Sequence, residues 1–266
     1  MTAALSILGA CSRAWPALPA HRGIETEFEA LWPGRFRKIG RFIKLALSAA
    51  ALTMKHAGLT KLPAARTGVF LGTGLGNLAD LVPFVQSLYD GQSIPSPIQF
   101  ANSVGNSGAF YIAQAYALEG PVLAICQDEV SFEAAVLNAA LLLRAGEIDL
   151  ALVGGLDVFV PPASEQRARL GLDVADESVV LGEGVGCWLL SSAEGQGYAQ
   201  LLDVTLKNAP APRRSDGIAP PGIFPTSSAF AAGAFVVSDA APGALYQAFS
   251  ATREGLLGTI TVRKSK

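Results

Sequence analysis

Charged residues are scarce in this chain of 266 residues, at 16% of the sequence, and neither sign dominates. The 20 lysines and arginines against 22 aspartates and glutamates leave a net charge of −2, so the chain lacks the basic footprint of a protein that binds nucleic acid or a membrane surface. Half of the residues are hydrophobic, which excludes general disorder. The composition predicts a large buried fraction or a surface covered by a partner, although a merely alanine-rich sequence has the same effect.

Cysteine and histidine are equally sparse. The three cysteines, Cys11, Cys126 and Cys187, include no CxxC pair, so we expect neither a disulfide framework nor a metal site, and no cofactor. This usage is typical of a reducing cytoplasm, where we expect the protein to reside. His21 and His56 are the only histidines, and neither lies beside a serine or cysteine motif. We interpret them as a surface-loop residue and a charge at the end of a helix.

Long hydrophobic runs are also missing, although the mean hydropathy is +0.37. No apolar stretch reaches the roughly 18 residues that a membrane helix needs, so no membrane partner is expected. The N-terminal apolar stretch has no basic residue before it, whereas a signal peptide begins with one. We therefore interpret Leu5 to Gly9 as a first strand.

Apolar runs that alternate between strand and helix periods predict an α/β fold, and the length allows one large domain or two small ones. A mostly buried helix is expected to end at Gly58, and Pro210 to Pro225 has the composition of a long loop. Ser228 to Val237 and Gly258 to Val262 are further apolar stretches. The other expected strands are Thr67 to Leu71, Pro121 to Cys126, Asp149 to Gly154, and a pair formed by Val185 to Ser191 and Tyr198 to Thr205. The other expected helices are Leu78 to Tyr89, Asn102 to Leu118 and Ser131 to Arg144.

The glycine-rich segment GTGLGNL, from Gly72 to Leu78, follows a predicted strand and has some of the character of a nucleotide-binding loop. Asn77 occupies the place of the last glycine of a GxGxxG motif, and no lysine followed by serine or threonine completes a P-loop. We therefore expect a turn that packs a helix onto the sheet.

The segment CQDEVSFEAA, from Cys126 to Ala135, predicts an elbow between a strand and a helix. A nucleophile at such a turn gains from the positive end of the helix dipole, so Cys126 is one candidate. Asp128 is a plausible N-cap residue. The carboxylates of Asp128 and Glu129 are also ordinary complements to a helix dipole, and the residues alone leave these alternatives open.

Several segments together resemble the β-ketoacyl synthases of the thiolase-like superfamily. They are IGRFIKLALSAA, TGVFLGTGLGNL, SPIQFANSVGN, the pair Gly120-Pro121, RAGEIDLALVGGLD and LGEGVG, in the order of that family between residues 35 and 195. The tail FSATREGLLGTITV echoes the last glycine turn of the family, with Gly255 in place. The resemblance implies a single α/β domain over residues 1–266 with a thiolase-like layered fold, whose N-terminal half is complete and whose C-terminal half, residues 196–266, is shortened.

The resemblance also implies that the catalytic nucleophile is absent. In active synthases the nucleophilic cysteine comes nine residues after the glycine of the Gly-Pro pair and twenty-five before the first glycine of the Gly-Gly pair. From Gly120 and from Gly154, both counts arrive at Glu129. The family's two catalytic histidines lie in its C-terminal half, whereas this chain has none after His56. Because a carboxylate cannot replace a thiolate as acyl acceptor, we expect no catalytic residue in this chain.

Synthase homologues without the cysteine are chain length factors, which pair with an active ketosynthase, and truncated members of this type resemble those of aryl polyene and type II polyketide or fatty-acid-like clusters. The resemblance implies a non-catalytic subunit that shapes the partner's acyl tunnel. It also implies that an acyl carrier protein binds transiently, at basic residues such as Arg35, Arg37, Lys38 and Arg41.

The tunnel-gate candidates, which are equally compatible with core packing, are Leu78, Leu81 and Val85. As branched aliphatic residues, they predict a fairly long acyl or polyene chain. The candidates for the dimer interface, where the strand before the elbow pairs across a two-fold axis, are Gln99, Phe100, Asn106, Phe110, Val122, Ala124 and Cys126.

Two alternatives remain at this point. One is a divergent acyltransferase or hydrolase that uses Glu129 as base or Cys126 as nucleophile, for which a raised pKa of Glu129 in a dry pocket would be evidence. The other is a homodimer that binds acyl groups without turning them over.

Overall fold

The computed structural model describes residues 3–17, 22–90, 94–175, 177–193, 195–209 and 220–265. They form one mixed sheet of eight strands in the order β3-β2-β4-β5-β1-β6-β8-β7, with helices on both faces. The strands are β1 (Leu5–Pro16), β2 (Thr67–Gly72), β3 (Val122–Ile125), β4 (Leu150–Asp157), β5 (Gly182–Ser191), β6 (Ala199–Asn208), β7 (Leu245–Ala251) and β8 (Leu256–Lys264). The helices are α1 (Gly23–Leu31), α2 (Arg41–Ala57), α3 (Leu78–Tyr89), α4 (Pro97–Ser103), α5 (Ser107–Tyr116), α6 (Ser131–Arg144), α7 (Ala163–Arg169) and α8 (Ser227–Val237).

The sheet changes character along its width. At one end, β2 pairs in parallel with both β3 and β4, as expected for strands joined through helices. All other pairings are antiparallel, and the link between β1 and β6 is only three residue pairs long, Leu5 to Ile7 against Ala199 to Leu201. The edge strand β3 therefore belongs to the parallel part, which also carries the glycine turn and the elbow.

Two hydrophobic cores lie on opposite faces of the sheet. On one face α2 packs between the sheet and the helices α1 and α5, and ten of its residues are buried. Gly58 ends α2 in the left-handed conformation, as the sequence predicted. On the other face lie α6 and α8, with Phe132 and Trp188 in edge-to-face contact 5.1 Å apart.

Glycines of two sequence motifs allow the second helix layer to approach the sheet. A Cβ atom at Gly186 of β5 would lie 1.8 Å from the carbonyl oxygen of Ala229 in α8. At Gly155 of β4 it would lie 2.7 Å from Cβ of Ala229 and 2.8 Å from Cβ of Phe132 in α6. Since real Cβ atoms do not approach so closely, both positions require glycine.

The structure corrects several expected elements. The first strand does not end at Gly9 but continues to Pro16. The helix expected over Asn102 to Leu118 is wrong, because Val104 is extended and separates α4 from α5. The apolar stretch Ser228 to Val237 is the helix α8, and β5 and β6 are not neighbours, because β1 lies between them. The sequence analysis did not predict α1, α7 or β7. His21 and residues 210–219 of the expected loop lie outside the described residues.

The helix after the glycine turn also differs from expectation. The predicted bounds of α3 are confirmed, but none of its residues is fully buried, and its main neighbour is α4 rather than the sheet. The glycine turn therefore does not serve to pack α3 onto the sheet. Instead it leaves an apolar helix at the surface beside the edge strand.

None of the described helices is long and apolar enough to cross a membrane. Within the same residues, no three histidine, cysteine, aspartate or glutamate side chains are grouped so as to hold a metal ion.

Candidate functional site

The elbow between β3 and α6 is a sharp turn with one residue in an unusual backbone conformation. After β3 the chain passes through Cys126 and Gln127, and Asp128 then takes a φ of 47°, in the left-handed region where aspartate is one of the few tolerated residues. Asp128, Glu129 and Val130 form a 3-10 turn before α6 begins at Ser131. The expectation that Asp128 caps the helix with its side chain is wrong, because no such bond forms.

A buried serine holds this elbow in place. The backbone N–H of Gln127 donates to Oγ of Ser131 over 2.8 Å. The same hydroxyl lies 2.7 Å from the carbonyl oxygen of Asp128 and 3.0 Å from that of Thr73, in the glycine turn after β2. Because one side chain contacts both turns, the elbow and the glycine turn are fixed relative to each other.

The glycine turn is organised by a second buried residue, Asp157, at the end of β4. Its Oδ1 accepts bonds of 2.9–3.0 Å from the hydroxyl of Thr73 and the backbone N–H groups of Gly74 and Leu75. Its Oδ2 accepts the backbone N–H and the hydroxyl of Thr226 at 2.9 and 2.8 Å. Burial raises the pKa of Asp157, while hydrogen bonds from Leu75, Thr226 and Thr73 lower it. One carboxyl group thus joins the ends of β2 and β4 to the start of α8.

Sequence reasoning missed Asp157, Ser131 and Thr226. For Asp157 a signal was present in the run DLALVGGLD. After its first residue this run is apolar or glycine until Asp157, the carboxylate that ends it. The link from Ser131 to Thr73 and the link from Thr226 to Asp157 join residues that are distant in sequence, so the residues alone gave no signal for either.

Glu129 lies in the 3-10 turn and is half-buried. Burial is the main cause that raises the pKa of its carboxyl group, and the charges of Asp128 and Glu254 act in the same direction. The opposing contributions come from its own backbone N–H and from Arg253, in the turn between β7 and β8. That turn is anchored by a hydrogen bond from Arg253 to the carbonyl oxygen of Ala168. Glu129 therefore faces a mixed charge environment rather than a dry apolar pocket.

One helical turn further along, Glu133 is completely buried. Its Oε1 accepts the hydroxyl of Ser250 of β7 over 2.7 Å, and a Cβ atom at Gly258 of β8 would lie within 2.8 Å of its side chain. Burial raises the pKa of Glu133, and the hydrogen bond from Ser250 acts in the opposite direction. Sequence reasoning missed this residue, which lies inside an apolar helix.

Cys126 comes directly after β3, at an exposed position. Its Sγ is 3.9 Å from the carbonyl oxygen of Gly74. Partial burial and the nearby charges of Asp157 and Asp128 raise the pKa of its thiol, whereas Arg169 lowers it. Since the thiolate is the nucleophilic form, this environment does not activate Cys126.

A pocket of about 500 Å³ lies between the glycine turn, α3, the break before α5, and β3. Glu129 is not among its lining residues, and neither are Val85, Gln99, Phe100 and Phe110. The structure thus brings together some of the gate and interface candidates and leaves others outside. Those that line the pocket are Leu78, Leu81, Asn106, Val122, Ala124 and Cys126.

Around this pocket the surface is unusually apolar. Phe100 and Phe110 are 58% and 53% exposed, and Val122 and Leu123 of the edge strand are 38% and 39% exposed. Exposed apolar side chains in contiguous patches mark sites of association. We call this surface the β3 face and define it by its exposed apolar residues Leu81, Val82, Val85, Leu88, Tyr89, Ile98, Phe100, Val104, Phe110, Val122 and Leu123.

The basic cluster before α2 divides into two parts. Arg41 pairs with Glu25 over 2.6 Å and with Glu183, which is buried and also accepts the backbone N–H of Phe159 over 3.1 Å. Two motifs of the sequence, IGRFIK and LGEGVG, therefore meet in a structural ion-pair network. The prediction that Arg41 belongs to a docking patch does not fit this position, whereas Arg35, Arg37 and Lys38 are exposed.

His56, in the last turn of α2, is not the helix-end charge that was expected. Its Nδ1 accepts the backbone N–H of Ala10 over 3.1 Å, and its ring stacks on Tyr198 at 4.0 Å. Partial burial, together with the charge of Lys264, lowers the pKa of the imidazole. His56 thus joins α2 to β1 as a neutral acceptor.

Residues 9–195 match the model of the β-ketoacyl synthase N-terminal domain. This chain belongs to the β-ketoacyl synthase family. A polyketide synthase protein of the spectinabilin system from Streptomyces orinoci is 32% identical over 179 residues, which are 60% of this chain and 8% of the relative. The chloroplastic 3-oxoacyl-[acyl-carrier-protein] synthase I of Hordeum vulgare is 29% identical over 168 residues, 57% of this chain and 36% of the relative. The chain thus spans about a third or less of these synthase relatives.

Solved structures of the family share the fold. The ishigamide ketosynthase/chain length factor superposes with a TM-score of 0.73 at 19% identity, over 94% of this chain and 86% of that chain. A type II polyketide ketosynthase in complex with its acyl carrier protein gives 0.73 at 14% identity, over 99% of this chain and 100% of that chain. The predicted thiolase-like α/β fold is thereby confirmed.

Proposed function

We propose that this protein is a non-catalytic subunit of the chain-length-factor type, which pairs with an active ketosynthase and contributes to its acyl tunnel. The observation that carries the proposal is the carboxylate of Glu129 at the elbow, where the resemblance places the nucleophilic cysteine. A carboxylate does not accept an acyl group in place of a thiolate, and it repels an incoming malonyl carboxylate. The nearest thiol, Cys126, lies three residues earlier and is not activated.

The β3 face supports the pairing. Because β3 is an edge strand, its outward backbone groups have no partner strand among the described residues, and an unprotected edge invites pairing. The exposed valine, leucine and phenylalanine side chains around it fit the apolar core of a protein interface. We assign the interface to Gln99, Phe100, Asn106, Phe110, Val122, Ala124 and Cys126. We also propose that residues 1–266 form one domain.

The pocket supports the contribution to a tunnel. It opens beside the edge strand, so a partner on the β3 face would extend its walls. Leu78 and Leu81 of α3 line it with branched aliphatic side chains, while Val85, one turn further on, lies outside. We therefore restrict the gate to Leu78 and Leu81 in the chain alone.

Leu81→Trp should shorten the products of the reconstituted pair, because the larger ring fills space that the pocket offers to the acyl chain. Mass spectrometry of the released acyl or polyene products measures the effect. Leu141→Trp, at an exposed leucine of α6 outside both the pocket and the β3 face, is the matched control and should leave the distribution unchanged. Unaltered product lengths with Leu81→Trp would contradict a tunnel at this position.

An acyl carrier protein is the expected visitor of the pair. The exposed Arg35, Arg37 and Lys38 offer positive charge for an acidic partner, and Arg35 is held over the rings of Trp32 and Phe36 at 5.1 and 4.9 Å. Titration of the pair with an acyl carrier protein tests this, because Arg37→Glu together with Lys38→Glu should weaken binding. Lys61→Glu is the control and should leave binding unchanged. It is preferred to Arg66→Glu because Arg66 is paired with Asp149.

The raised pKa of Glu129 is the one observation that favours a second function, a hydrolase or acyltransferase with this residue as base. The two functions differ in their response to Glu129→Gln. A base would lose its activity on acyl thioesters by several orders of magnitude, whereas a structural subunit keeps its ability to support the partner.

The experiment that tests the main proposal is co-expression with a ketosynthase from the same organism, followed by native mass measurement and product assay. We expect a 1:1 complex whose activity requires the nucleophile of the synthase and survives Glu129→Gln. A protein that remains apart from every such synthase, or that turns over acyl thioesters alone, would overturn the proposal.

A further inference from the structure

We propose that the β3 face selects a partner that presents lysine or arginine side chains opposite both ends of β3, and that it disfavours a second copy of this chain. The inference rests on the proposed pairing and adds the charge of the partner. It is carried by the distribution of charge along the sequence and by its position at the edge of the sheet.

The part of the chain that builds the β3 face contains no cationic residue. Between Arg66 and Arg144 there is no lysine, arginine or histidine, although acidic residues occur throughout this stretch. In the whole chain the two signs nearly balance, at 20 against 22, so the segregation is local. The six acidic residues of the stretch are Asp80, Asp90, Glu119, Asp128, Glu129 and Glu133.

Two of these carboxylates flank the edge strand. Glu119 comes three residues before Val122, the first residue of β3, and Asp128 comes three residues after its last residue, Ile125. Both side chains belong to exposed residues. The edge therefore consists of exposed apolar side chains with a negative charge at each end.

Self-pairing of this edge brings like charges together. A two-fold axis through the middle of β3 makes the paired strands antiparallel, so that the start of one strand lies beside the end of its copy. Glu119 and Asp128 are equally distant from that middle, so Glu119 of each copy approaches Asp128 of the other. Two carboxylate contacts at the rim of an otherwise apolar interface oppose the homodimer.

The arginine that precedes the acidic stretch and the two that act near Asp128 do not cancel this charge. Arg66, which precedes the acidic stretch, is bound to Asp149 through two hydrogen bonds of 2.6 and 3.0 Å. Near Asp128, the positive charges of Arg253 and Arg169 act on Glu129 and Cys126, but Asp128, Glu129 and Glu254 outnumber them. Among these groups the carboxylates are in excess at both ends of the strand, so a partner with basic residues there is complementary.

The test is a charge reversal at Glu119, before the start of β3. Glu119→Lys should lower the association rate with the ketosynthase about tenfold at low ionic strength, as expected when steering charges are inverted. At high salt the rates of variant and wild type should converge. Stopped-flow or surface-binding kinetics at several salt concentrations give both readouts. At the other end, Asp128→Asn removes the charge but keeps a residue that tolerates the left-handed backbone.

Self-association provides a readout that does not need the synthase. In a copy pair, Glu119→Lys replaces each repulsive contact with an attractive one, so sedimentation should show more dimer than for the wild type. Asp203→Lys is the control, at an exposed position of β6, which is separated from β3 by four strands of the sheet. It should change neither the association rate with the ketosynthase nor the dimer content. If the wild type does not bind the synthase, the proposed function is wrong. The dimer content of Glu119→Lys compared with that of the wild type still tests the charge inference. Unchanged salt dependence together with unchanged self-association would overturn the inference.

Discussion

Strands β2 and β3 are neighbours in the same sheet and are built from similar apolar residues, yet their surroundings are opposite. All six residues of β2 are buried, whereas three of the four residues of β3 are exposed and the fourth is half-buried. The difference comes from position, since β2 lies between β3 and β4 and β3 lies at the edge. An apolar run alone therefore predicts a strand, and only the sheet order shows whether the strand is buried within the chain.

The comparison separates two kinds of residue. In the interior, Glu183 pairs with Arg41, and Asp157 accepts hydrogen bonds from within the chain. At the edge, apolar side chains are exposed to solvent. Changes in the interior should therefore alter the free energy of unfolding, and changes at the edge should alter association.

Among the substitutions that leave the chain folded, Arg41→Ala has the largest expected effect. It removes the guanidinium group that pairs with the buried carboxylate of Glu183, and breaking a buried ion pair typically costs about 3–5 kcal/mol of unfolding free energy. Chemical denaturation of the purified chain measures the loss. Arg37→Ala removes an exposed arginine from the same segment and should cost less than about 0.5 kcal/mol. Equal effects of the two substitutions would contradict the structural role of the ion pair.

Asp157→Asn should come next, at about 2–3 kcal/mol, because an amide group then faces backbone N–H donors that the carboxylate had accepted. The loss is again read from denaturation, and hydrogen exchange should increase in the glycine turn around Gly74 and Leu75. A fully stable variant with unchanged exchange would show that the five hydrogen bonds do not anchor the turn.

Leu123→Asp tests the edge directly. Since Leu123 is 39% exposed, the substitution should change the unfolding free energy of the isolated chain by about 1 kcal/mol or less. Association with the ketosynthase should nevertheless be lost, because a buried unpaired carboxylate is costly at an interface. The matched interior change, Leu71→Asp in the neighbouring strand, should instead prevent folding. Retained binding by Leu123→Asp would contradict the assignment of the interface.

The smallest effect concerns pH. The pKa of His56 is lowered in the folded protein, so its contribution to stability is fully present above the ordinary value near 6.5 and is lost as the pH falls through the lowered value. A shallow loss of stability below neutral pH is therefore expected. His56→Asn, which offers an acceptor that does not titrate, should flatten this part of the profile, and an identical profile would rule the histidine out.

The sequence predicted most of the parallel part of the sheet. The bounds of α3 and α6 and the glycine end of α2 followed from periodicity and cap residues, and the order of the motifs indicated the family. It failed at Val104, where the helix breaks within a segment of weak helix formers from Asn102 to Gly108. It also failed at β1, which inserts between β5 and β6 through long-range pairing. The elbow between a strand and a helix was predicted at its observed position. The polar groups that link it to the glycine turn and to α8, Ser131 and Asp157, were not predicted, because these links join distant segments.

The most direct test of the account is hydrogen exchange at β3, measured on the chain alone and with the ketosynthase. Backbone N–H groups of Val122 to Ile125 that point away from β2 should exchange rapidly in the isolated chain. In the complex they should slow by about a hundredfold or more, since they become bonded to the partner strand. A stable complex in which exchange at β3 is unchanged would contradict the central claim that the partner covers this edge.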